Sequence, residues 1–240
     1  MKAINRRVIP AVLALMLCAA VVGAGDTRTQ VWPEAQAFVK LDGRLRLHFL
    51  GDVWYAPASW TPDGTASESE AETGVHLDIT LKPIARPKLR TRHWERERYL
   101  WARVGYDYIW TPGDPAKPSH ENRGIVELTG RLHLGGGVWA VNRARVDLRD
   151  KNGTYSTRYR ERLMLERETP ILGLETVPYV SAEVLYDTRY DAWSEQRYQV
   201  GLEMVLDARW RLEPYYLRQR DTRSEPEHTN AFGLVLKYYH

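Results

Sequence analysis

The sequence is nearly without cysteine: of 240 residues only Cys18 carries a thiol, and it lies in the N-terminal stretch. A disulfide scaffold is therefore excluded, and stability has to come from a large hydrogen-bonded fold or from burial in lipid. Phenylalanine is also scarce, three residues against fourteen Tyr and nine Trp. After residue 24 no apolar run approaches the roughly 20 residues of a spanning helix, and mean hydropathy is −0.50, which excludes a helical membrane protein. Apolar spacing at three and four residues is missing as well, so a helical bundle is not expected.

The N-terminus has Lys2, Arg6 and Arg7, an apolar run from Val8 to Leu17, and small residues ending at Ala24. This order predicts a signal peptide over 1–24, with 25–240 as a single domain. Leu17 before Cys18 argues against acylation there. Removing Lys2, Arg6 and Arg7 takes the thirty-four bases to thirty-one, equal to the thirty-one acids. The remaining chain is formally neutral, and its charge gives no reason to expect nucleic acid.

What is present is period-two alternation from end to end, the pattern of strands with one apolar and one polar face. It predicts strands over 30–41, 43–54, 73–82, 98–110, 121–134, 138–149, 155–168, 179–187, 195–206, 209–220 and from 229 to the end. The first is the weakest because Pro33 interrupts it. Short links (42–43, 135–137, 207–208) alternate with long polar ones (55–72, 111–120, 221–228). The exception is 83–97, long and basic on the short side. The pattern predicts an all-β fold, an antiparallel transmembrane barrel of about ten to twelve strands after a cleaved signal. Short turns and the C-terminus are expected in the periplasm, the long loops outside. Antiparallel closure calls for an even number, ten if the first segment lies outside the wall or twelve if one strand is still unrecognised.

Trp54, Trp94, Trp110, Trp139, Trp193 and Trp210 fall near strand ends and are expected to form interfacial girdles. The polar faces are dominated by Arg and Glu. The expected lumen lining is Arg44, Arg46, Arg103, Glu121, Arg123, Glu127, Arg131, Arg143, Arg145, Arg158, Arg160, Arg162, Glu166, Glu183, Arg197, Glu203, Arg211 and Glu213. Such side chains either pair across a narrow barrel and fill it, or leave a small Arg-rich pore biased to anions. A soluble periplasmic barrel or sandwich is the alternative that would turn the Leu and Val faces inward.

Trp32-Pro33-Glu34, Tyr106 with Tyr108, Glu121-Asn122-Arg123, the run Arg158 to Leu163 with Glu166, and Arg197 with Gly201 and Glu203 together resemble the bacterial family called domain of unknown function 2490. The resemblance implies an outer-membrane β-barrel and carries no activity. The chain departs from the usual barrel ending, an aromatic last residue, by placing His240 after Tyr238 and Tyr239.

Enzymatic chemistry has little foothold. Ser59, Ser67, Ser69, Ser119 and Ser224 lie in loops, and Ser119 beside His120 has no acidic orienter specified, so an outer-membrane lipid hydrolase is only the alternative. His48, His76, His93, His120, His133 and His228 are scattered singly, without ligand spacing on one strand face, and no metal or other cofactor is expected. Ser67 to Glu72 could attract divalent ions at a surface rich in lipopolysaccharide. Gly135 to Gly137 is not followed by a helix and is no phosphate loop. The expected partners are the lipid bilayer, lipopolysaccharide and the outer-membrane barrel assembly machinery, with no nucleic acid.

Overall fold

The structure, a computed structural model, describes residues 27–60, 68–84, 96–112 and 119–240. The expected signal peptide, Ser67, His93 and Trp94 lie outside them. The strands are β1 (Thr27–Lys40), β2 (Leu45–Ala56), β3 (Glu68–Pro83), β4 (Arg98–Trp110), β5 (His120–Gly135), β6 (Val138–Lys151), β7 (Thr154–Arg167), β8 (Thr169–Ile171), β9 (Leu174–Asp187), β10 (Ala192–Val205), β11 (Trp210–Asp221) and β12 (His228–Tyr239). Each hydrogen-bonds its neighbours into one sheet, and β9 pairs β10 to close it. β8 is a three-residue flap that pairs only β9, which leaves eleven strands in the wall.

Eleven corrects the even-number expectation, and the reason lies in the seam. β1 and β12 run parallel, from Thr27 beside His228 to Phe38 beside Tyr239, while every other wall pairing is antiparallel. A parallel pair ordinarily needs a crossover connection. These two strands lie at opposite ends of the chain, so nothing has to connect them. The segment with Pro33 is thus part of the wall. The β1–β2 ladder has no bridge at Trp32 or Pro33 and resumes at Glu34 opposite Asp52, which accommodates the missing N–H.

The seam gives a direct prediction. Ala35 and Leu236 are register partners across it. The double variant A35C/L236C, built in a chain without Cys18, is expected to form an internal disulfide on mild oxidation, read as a mobility shift reversed by reductant. A barrel closed with β1 outside the wall would give no such shift.

Most strands of the wall have twelve to sixteen residues, which at about 3.3 Å per residue and a tilt near 45° rise roughly 30 Å. At one end, the link end, lie the turns before β2, β6 and β11, the described residues Ile84, Arg96 and Glu97 of the connection between β3 and β4, and His240. There Asp42 and Asp207 each accept two backbone N–H groups of the following turn, which hold both carboxyls below the usual range. The opposite, loop end includes the tight turn Asn152-Gly153, both residues at positive φ as a two-residue hairpin demands.

Apolar residues face outward: Leu132 is 64% exposed and Val126 53%, with Leu128, Leu163, Val180 and Val200 alike. Charged residues face inward and are buried. This is the inverse of a soluble barrel or sandwich. Trp110, Trp193 and Trp210 lie on or beside the outer wall, packed against Tyr108, Tyr186 and Tyr238. Trp54 and Trp139 correct the girdle expectation. Trp139 is buried beneath the Arg131 guanidinium, and Trp54 packs inward on Trp32.

Candidate functional site, an ion-paired lumen

Because side chains alternate, each strand delivers a row of inward groups, and the register decides which rows meet. Four aspartates with no exposed surface, Asp78, Asp107, Asp147 and Asp187, lie against the wall where arginines from neighbouring strands converge. Asp78 on β3 accepts from Arg103 Nε at 2.6 Å, Arg46 Nε at 3.0 Å and Arg98 Nη1 at 3.5 Å. Asp187 accepts from Arg158 at 3.2 Å and from Arg149, whose Nε and Nη2 also grip both oxygens of Glu121 at 2.7 Å. Asp147 pairs Arg145 and lies 3.7 Å from Arg160.

The longer glutamates reach further. Glu183 on β9 accepts from Arg160 Nη2 at 3.0 Å and from Arg143. Glu195 pairs Arg197 and approaches Arg158 at 3.8 Å. Arg123 bonds Glu121 at 2.9 Å and Glu72 at 3.3 Å, and Arg143 lies 3.8 Å from Glu127. At the link end Arg131 pairs Glu166, and Lys237 joins Glu203 at 2.7 Å and Glu213. Arg211 is buried there over the Tyr239 ring. Of the lining residues expected from sequence, Arg44 stands apart, exposed in the turn before β2 because it precedes the first paired residue of that strand.

Several participants escaped the sequence reading. Arg96 comes from the link that broke the short-turn rule: it enters the barrel end and bonds Glu166 at 3.0 Å and Glu203 at 2.6 Å. Ile84, at the other end of the link, is buried beside it in sequence-distant contact with Glu97 through a backbone bond of 3.0 Å. His48 and His76 are register partners across β2 and β3, and their Nδ1 atoms are 2.9 Å apart. His76 Nε2 lies 2.6 Å from Asp107. If His76 donates to Asp107, its Nδ1 accepts from His48, and the bare Nε2 lone pair of His48 is left buried without a partner among the described residues. Gly74 and Gly105 give this relay its room, since a Cβ on either would fall 2.1 Å from Asp107 or His76.

Cavities remain between the networks, and two of them share part of their lining. The larger, about 600 Å³, has carboxylates Glu34, Asp52 and Glu72 side by side on β1, β2 and β3, faced by arginines of β6 and β7. The smaller, about 210 Å³, lies toward the link end among Phe38, Arg96 and Tyr239. Arg103, Arg143, Arg162 and Lys237 line both, so the boundary between the chambers is made of four cations. Arg162 differs from the other three. Among the described residues no group lies within bonding distance of its guanidinium, because Glu183, its register partner on β9, is already taken by Arg143 and Arg160.

Among the described residues, Ser119 and His120 do not converge on an acid. His120 is exposed, and its backbone N–H donates to Asn152 Oδ1 at 3.0 Å while its carbonyl accepts the Asn152 N–H at 3.1 Å. The described residues contain no group of three His, Cys, Asp or Glu placed to hold a metal ion.

The model of a family described as a protein of unknown function, DUF2490, matches residues 84–230, more than half of the chain, from the link through the start of β12. The chain belongs to the DUF2490 family. No curated protein matches this member. Among solved structures it is similar to LpxR from Salmonella typhimurium, with a TM-score of 0.51 and 11% identity over 81% of this chain and 83% of that one. At that identity the likeness is one of fold, a closed barrel.

Proposed function

We propose that this DUF2490 protein is exported by a signal peptide cleaved after Ala24 and spans the outer membrane as a barrel whose lumen is a narrow, anion-biased pore. Magnitude supports the membrane. Each Leu or Val left in water instead of buried forgoes about 1.5–3 kcal/mol, so the six outward residues named above alone would forgo about as much as the whole net stability of a domain. In hydrocarbon the same face is favourable and the ionic interior stays away from lipid. The bilayer, lipopolysaccharide at the loop end and the barrel assembly machinery are the partners this reading implies.

The observation that carries the pore is the succession of two chambers meeting at an all-cationic boundary. Three of these cations are paired with wall carboxylates, so the uncompensated charge at the boundary is that of Arg162, which favours anions over cations. Refolded residues 25–240 in planar bilayers are expected to give small, stable conductance steps with a reversal potential favouring anions under a salt gradient. R162Q removes the one boundary cation that holds no ion pair and is expected to reduce that preference while leaving the heat-modifiable gel mobility of a folded barrel. A folded, membrane-embedded and electrically silent protein would reject the pore and leave a packed structural barrel. A chain soluble in the periplasm would reject the membrane as well.

A further inference from the structure

The buried cations of this barrel are almost all committed. Arg103, Arg143 and Lys237 at the chamber boundary each hold at least one carboxylate, respectively Asp78, Glu183 and the pair Glu203 and Glu213. Arg162 lies among them, half-buried, with its register neighbours Arg143 on one side and Glu183 on the other. A guanidinium withdrawn from bulk water without a partner is unfavourable unless something supplies acceptors. The wall does not. Two residues before Glu183, on the same face of β9, Ser181 lines the larger chamber with a hydroxyl that bonds nothing among the described residues. On the next strand the Gln199 amide donates to Tyr179 Oη at 2.6 Å and leaves its second N–H free for the chamber.

We propose that Arg162 is the centre of a binding site for a small inorganic oxyanion of the phosphate class, held at the boundary between the two chambers. The planar guanidinium presents two parallel N–H donors that match two oxygens of one oxyanion, a geometry a halide cannot use. Arg143 and Lys237 stay paired with their wall carboxylates, so the uncompensated charge at the site is that of Arg162, and the Ser181 hydroxyl and Gln199 amide line the same chamber. Asp52 and Glu72, on β2 and β3 beside Arg123 rather than Arg162, oppose anions in that part of the larger chamber. The proposal rests on the pore reading only for the route by which the anion enters.

The test is calorimetric titration of inorganic phosphate into refolded residues 25–240 in detergent, at fixed ionic strength with chloride as the competing anion. Saturable binding is expected, weakened at least about tenfold in R162Q, which removes a charge-assisted bidentate contact, and by less in R162K, which keeps the charge without the fork. S181A is expected to weaken it a few-fold. A folded barrel that conducts yet shows no saturable phosphate binding overturns the site and leaves the pore. A barrel that binds phosphate through Arg162 but never conducts overturns the pore and leaves the site. Equal binding in R162Q, or an R162Q chain unable to reach the heat-modifiable state, overturns the site, because a free cation is required by neither.

Discussion

Replacing Asp78 by alanine is expected to produce the largest loss of stability of any single lumen substitution. Its carboxylate is the common acceptor for Arg46, Arg98 and Arg103, three guanidiniums from β2 and β4. Asp78 itself has no exposed surface, and side-chain exposure of the three arginines is 16% or less. Removing one member of a buried ion pair costs about 3–5 kcal/mol, mostly the penalty of the charge left behind, and here three guanidiniums lose a shared acceptor at once. Against a net stability of about 5–15 kcal/mol, that loss is enough to prevent folding or to leave a barrel that unfolds in dilute urea. D78N keeps the shape and one acceptor oxygen and is expected to fall between. The measurement is the urea midpoint from the folded band on unheated gels. Asp150, exposed on the outward side of β6, is the control, with D150A expected within about 0.5 kcal/mol of the parent. A D78A barrel as stable as D150A would mean that the arginines are hydrated through the lumen rather than dependent on Asp78.

Asp78 also marks where the sequence stops being readable. Period-two alternation was enough to locate the wall, and 98–110 and 138–149 agree with β4 and β6 to within two residues. Parity put Asp78, Asp107 and Asp147 on the polar face, but long side chains drew attention because they can reach across a lumen. The short aspartates turn out to be the hubs, since a carboxylate held against the wall can be reached by arginines of both adjacent strands. Which arginine meets which acid depends on register, and register across strands such as β2 and β3, with residues 57–67 between them, cannot be derived from one chain. The His48–His76 contact was hidden for the same reason. Arg96 was invisible for another: it enters the barrel from a link, where no periodicity applies. Trp139 shows the limit of position alone, for lying at a strand end does not fix the face, and its parity with Val141 and Arg143 sends it inward. The parallel seam could not be inferred from alternation at all, which is identical for either direction of the neighbouring strand.

The second large effect is steric. Gly105 on β4 faces the lumen directly opposite His76, and a Cβ built there lies 2.1 Å from His76 Cδ2, 2.8 Å from Cγ and 2.8 Å from the Val75 carbonyl oxygen. The ring has nowhere to go, because Asp107 holds Nε2 and His48 holds Nδ1, and one of the close atoms is backbone. G105A is therefore expected to destabilise the barrel by about 1–3 kcal/mol or more, the range for overpacking a well-filled interior. Gly124 on β5 is the matched contrast. It faces outward, its nearest neighbour to a new Cβ is Leu148 Cβ at 3.7 Å, and alanine there makes ordinary contact. Since glycine within a strand costs about 0.5–1 kcal/mol relative to alanine, G124A is expected to leave the urea midpoint unchanged or raise it. Adding H76A to G105A is expected to recover part of the loss, because it removes the ring that the new methyl meets, while H76A alone costs stability by taking the 2.6 Å partner from Asp107 and leaving it Arg145 at 3.5 Å. Equal midpoints for G105A and G124A would show that β3 and β4 are not in this register, and the His76–Asp107 contact would fall with it.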